Sequence, residues 1–156
     1  MTTALNRYAT QGNHFVAQLA TELDMPEKNG HALRVLRAVF HTFRTHLSPD
    51  VSMHLLSQLP MAVKGIYVDG WQMKAPKHYD FDYEEFIDEV YNAPSGNPQL
   101  KPFCRKSEVE HSVQAVFKVL KRNLPEGEYM EMMDYMPISL RMYLNDYILE
   151  GQSSFY

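Results

Sequence analysis

One stretch of the chain, Leu36 to Trp71, lies over a later one, Val113 to Ile148, at an offset of 77 residues without a gap. Seven of the 36 aligned positions are identical: Ala38 with Ala115, Val39 with Val116, Phe40 with Phe117, Leu47 with Leu124, Met53 with Met130, Pro60 with Pro137 and Asp69 with Asp146. Other apolar positions match in kind, Phe43 with Leu120, Leu55 with Met132, Leu56 with Met133, Leu59 with Met136 and Val63 with Leu140. A repeat at fixed offset restricts architecture first, because each copy must bury the same apolar stripe. Two copies are too few for a solenoid, so the pattern predicts one joint core.

The stripe has helical period. Leu33, Leu36, Val39, Phe40, Phe43 and Leu47 recur at spacings of three and four, which predicts a long helix over about 30–47. Val109, Val113, Val116, Phe117, Leu120 and Leu124 repeat the stripe in the second copy, where Ser107 and Glu110 have capping-box spacing. Ser48 is suited to an N-cap and Pro49 to a first helical position, opening a short helix over 49–58. Pro60 opens another to Val68, with Gly70 placed for a left-handed cap. Upstream, residues 4–23 carry Leu5, Tyr8, Phe15, Val16, Leu19 and Leu23, a helix that Gly12 weakens at its middle. Residues 71–79 read as a loop, Asp82 as the cap of a helix over 83–92, and Ala93 to Lys106 as a proline-rich connector. Helices over 126–134 and 138–148 complete the second copy, and Phe15-Val16 and Phe86-Ile87 make the leading helices alike. No run alternates as a strand would. The expectation is an all-α fold of about eight helices in one compact bundle, a single domain over 1–156 whose halves run about 4–71 and 80–148.

Two of these segments, GNHFVAQLATELDMP and LRAVFHTFRTHLSPDVSMHLLSQLPMAVKGIYVDGW, carry a resemblance. The L-R-A-V of the long helix (Leu36 to Val39), the S-x-Q-L-P step (Ser57 to Pro60) and the G-hydrophobic-Y-x-x-x-W ending (Gly65-Ile66-Tyr67 to Trp71) are similar to the bacterial DUF2267 family. The likeness extends over about residues 10–148, with Tyr135-Met136-Pro137 standing where a second Q-L-P would fall. It implies an all-helical fold and brings no activity with it.

Charge bounds the partners. A formal net charge of −4 argues against a general nucleic-acid binder, which needs a basic face. With one cysteine, Cys104, no intrachain disulfide forms; no basic-then-apolar leader and no run of membrane-spanning length is seen, so the expected setting is cytoplasmic and not membrane-bound.

Arg34, Arg37, His41 and Arg44 form a basic stripe beside the apolar one, and no carboxylate lies between Gly30 and Pro49. Lys118 and Lys121 continue it in the second copy. Arginines and lysines so aligned suit an anion or phosphate ligand. The plainer reading, which ranks above it, is a solvated face or pairing with the six carboxylates of Asp80 to Glu89. Among the seven histidines, Asp50 and His54 share a helical face, but no metal signature is present and no metal or cofactor is expected. Cys104 lies beside Arg105 and Lys106, the cationic setting in which reactive thiols occur, but no base is identified for it, and an inert thiol is the favoured reading. Acidic residues opening the 83–92 helix suit its dipole. The methionine- and tyrosine-rich second half offers an apolar candidate surface, Tyr67, Trp71, Met132, Met136 and Tyr143, against core filling as the commoner use of such residues. With no catalytic set in view, the sequence reading is a non-enzymatic module binding a protein partner or a second copy; an anion-binding regulator is the alternative.

Overall fold

Side-chain caps open three of the helices. The computed structural model describes residues 3–73, 82–94, 99–136 and 138–144. Thr3, Ser48 and Asp82 accept hydrogen bonds from the backbone N–H groups of Asn6, Val51 and Glu85 and so open α1 (Ala4–Glu22), α3 (Pro49–Leu56) and α5 (Tyr83–Asn92). Between them run α2 (Asn29–His46) and α4 (Met61–Val68); α6 (Ser107–Asn123), α7 (Glu126–Asp134) and α8 (138–144) follow. The described residues contain eight helices and no strand, so the protein is all-α. The expected content of residues 74–81, 95–98, 137 and 145–148 lies outside the described residues.

The turns are specific. α1 ends with the Met25 N–H on the Ala20 carbonyl and the Asp24 N–H on that of Thr21, with Asp24 left-handed at φ 58°. Past α4, Gly70 takes φ 72°, as its placement predicts. The repeat-related helices α2 and α6 both leave through a leucine in extended geometry, Leu47 at φ −98°, ψ 146° and Leu124 at φ −99°, ψ 146°.

The long helices α2 and α6 pack together, with Phe43 and Phe117 edge to face at 5.6 Å. α1 packs on both, and so does α5; α3 meets α7, and α4 lies against α1 and α2. Among the described residues, every position buried within 109–144 has a buried counterpart 77 residues earlier. The reverse holds except at His46, which is buried while Asn123 is exposed.

The one helix read over 4–23 forms as α1, and Gly12 within it has a use: a Cβ there would stand 2.6 Å from the Cβ of Ala62, so glycine is what lets α1 and α4 approach. Two local expectations change. Leu33 and Leu5 are exposed, and Ala32 and Val35 occupy the core edge of α2 instead. No capping box forms at Ser107, because the chain is already coiled ahead of it, with Glu108 N–H on the Arg105 carbonyl. Glu108 reaches back instead to accept from the Cys104 N–H at 3.3 Å.

Candidate functional site

The basic stripe of α2 faces the end of α4. His41 Nε2 lies 2.8 Å from the Ile66 carbonyl, and Arg44 donates to the carbonyls of Tyr67 and Asp69 at 2.7 and 2.8 Å. Arg37 pairs with the Asp69 carboxylate at 2.7 Å. A helix leaves its last carbonyls without intrahelical partners, and two side chains from the neighbouring helix, His41 and Arg44, take three carbonyls at this end. The contact with a carbonyl requires the imidazole to donate through Nε2. Burial, with the charges of Arg44 and Arg37, holds the His41 imidazole below its ordinary range, against the Ile66 carbonyl and Asp69, which favour the proton. Arg37 holds the Asp69 carboxyl low in turn. Arg34, further up α2, buries its Nε without a hydrogen bond.

In the second half the positions part company. Lys118 pairs with Glu22 of α1 at 3.4 Å, beside Arg122 at 2.5 Å, while Lys121 is exposed. Burial pushes the Glu22 carboxyl up, but Arg122 and Lys118 outweigh it and hold it low. The six candidate residues therefore do not converge on one site. Nor does the α2 stripe meet the described part of the acidic segment: its partners are on α4, and Asp88 and Glu89 pair with Lys106 and His46 instead. His46, buried, holds Glu89 at 2.7 Å.

The apolar candidates divide between core and edge. Tyr67, Met132 and Met136 are 0, 2 and 4% exposed, so they line the core and offer no surface. The Tyr67 hydroxyl bonds to Ser52 Oγ at 2.7 Å, and burial pushes its pKa up. Trp71 and Tyr143 are partly buried; Trp71 meets Tyr67 edge to face, and Tyr143 stacks on Tyr83 at 3.7 Å and accepts from Gln114. Apolar side chains that do reach solvent on the short helices or the turn after α7 include Met53, Met61, Val68, Met130, Tyr135, Ile138 and Met142. None was among the five apolar candidates, because the period marks which side chains face inward, and these fall between those positions.

His54 is placed differently from its sequence reading. Its Nε2 lies 3.3 Å from Glu128 Oε2 and 3.3 Å from Glu131 Oε2, both on α7, while Asp50 is not part of the group. These three ligand-type atoms lie within 4.8 Å of one another. Local spacing could not find them, since α7 is far from α3 in sequence. The repeat offset could have: His54 and Glu131 are 77 residues apart and face each other where α3 meets α7. Cys104 is an exposed free thiol.

A family model described as "Uncharacterized conserved protein (DUF2267)" matches residues 12–143. No curated protein matches the chain. Within the described residues no helix is long and apolar enough to cross a membrane.

Proposed function

The chain belongs to the DUF2267 family, and on that footing we propose that it is a non-enzymatic helical module that works by binding another polypeptide, with a second copy of itself the partner to test first. One observation carries this reading. Six large apolar side chains, between 47 and 62% exposed, stand on the four short helices or the turn after α7: Met53, Met61, Met130, Tyr135, Ile138 and Met142. Met53 and Met130, and Met61 and Ile138, are pairs 77 residues apart, so both halves present apolar groups at the same positions. Methionines accommodate surfaces of varied shape because their chains are unbranched and polarizable. Contiguous exposed apolar groups mark association surfaces, whereas single scattered ones are ordinary. The buried residues between them hold the short helices in place.

The test is mass in solution by analytical ultracentrifugation over a wide concentration range. The expected result is concentration-dependent association that Met61→Lys with Ile138→Lys abolishes at unchanged helicity. A strict monomer at every concentration, together with no specific partner in crosslinking, would overturn the reading. The anion-binding alternative ranks second, because Arg37, His41 and Arg44 already serve Asp69 and the α4 carbonyls. A ligand would have to compete with those bonds.

A further inference from the structure

The geometry points to a divalent transition-metal site, of the zinc type, made by His54 of α3 with Glu128 and Glu131 of α7. One imidazole nitrogen and two carboxylate oxygens form a donor set suited to borderline first-row cations such as Zn²⁺, and their two negative charges match the cation's two positive ones.

The distances from the imidazole fit shared coordination. Zinc bonds of about 2.0–2.1 Å in tetrahedral geometry place neighbouring ligand atoms about 3.3–3.4 Å apart. His54 Nε2 stands 3.3 Å from each carboxylate oxygen. A charge-assisted hydrogen bond settles at about 2.7–2.9 Å, and the buried His46 pairs with Glu89 in this same protein at 2.7 Å. His54 Nε2 and Glu128 Oε2 are closed to solvent, yet neither makes a hydrogen bond. Buried polar atoms without partners are rare, and a shared cation satisfies both at once. Three protein ligands leave a fourth position for water or a donor from elsewhere.

The helices also suit it. Glu128 and Glu131 are three apart, on one face of α7, and the Pro125 turn positions that helix beneath α3. Since α3 and α7 belong to opposite halves of the chain, a bound cation would cross-link them. It binds the folded state alone, so it stabilises by mass action.

Zn²⁺ titrated into the Cys104→Ser protein by calorimetry tests the assignment, the substitution removing a competing thiol. Co²⁺ provides a second readout, because a low-coordinate site gives intense visible bands and an octahedral aquo ion does not. The expected result is one cation per chain, a raised melting temperature, and affinity weakened at least 100-fold in His54→Ala and at least tenfold in Glu131→Gln. His14→Ala should leave binding unchanged. Glu131 is on the surface and its glutamine is isosteric, so that variant keeps the test valid if His54→Ala does not fold. The assignment falls if no cation binds, or if binding in either ligand variant equals that of the parent; the cluster is then an ordinary side-chain contact between α3 and α7.

Discussion

At the scale of single residues, the sharpest constraint is Gly12. Helix propensity favours alanine over glycine by about 1 kcal/mol, and at Gly65 on α4, where a Cβ would meet nothing within 4 Å, that preference should act unopposed. At Gly12 the added Cβ would meet Ala62 at 2.6 Å, and Ala62 has no flexible end to move aside. Overpacking of this kind costs about 1–3 kcal/mol. Gly12→Ala should therefore lower stability in urea unfolding, by up to about 2 kcal/mol, while Gly65→Ala raises it by about 0.5–1 kcal/mol. The glycine at position 12 was legible as a helix defect. Its purpose was not, because Ala62 is far along the chain.

At the scale of elements, the α2 stripe and the α4 terminus explain each other. α4 is two turns long and would be marginal alone. Arg44 holds two backbone carbonyls at its end, and His41 a third. Arg44→Ala leaves those carbonyls without their donor and should cost about 1–3 kcal/mol. Faster hydrogen exchange confined to residues 61–70 would localise the effect; equal exchange throughout the chain would count against the capping role. The spacing of Arg34, Arg37, His41 and Arg44 was evident in sequence, as was the Asp82 cap. The partner was not, since a basic stripe serves a phosphate, a carboxylate or a helix end by the same chemistry.

At the scale of the whole molecule, stability against pH gathers these local terms. The folded His41 takes up its proton below the ordinary value of 6.5. Its neutral form thus contributes stability in full above 6.5, and the contribution is lost as pH falls from there through the folded value. Glu22 behaves as a paired carboxylate, its contribution present above the ordinary 4.5 and lost as pH falls through its depressed folded value. Urea midpoints measured downward from neutral pH should therefore decline in two stages. His41→Gln should flatten the first and Glu22→Gln the second, and a first stage identical in both proteins would remove His41 from the account.

What the sequence determined by itself is the set of helices and their inward faces. Period and capping act over three or four residues, and the 77-residue offset carries the same pattern into the second half. Leu36, Phe40, Phe43, Val113, Phe117 and Leu120 are buried as that pattern requires. Only the tertiary structure decided which polar groups meet. It set the α2 stripe on the α4 carbonyls, closed Tyr67, Met132 and Met136 into the core, and brought His54 to Glu128 and Glu131. The physical reason is range. Apolar burial is non-directional and follows from local period, whereas a hydrogen bond, an ion pair or a ligand set needs particular atoms at particular distances, and those are fixed only once α2 lies against α4 and α3 against α7.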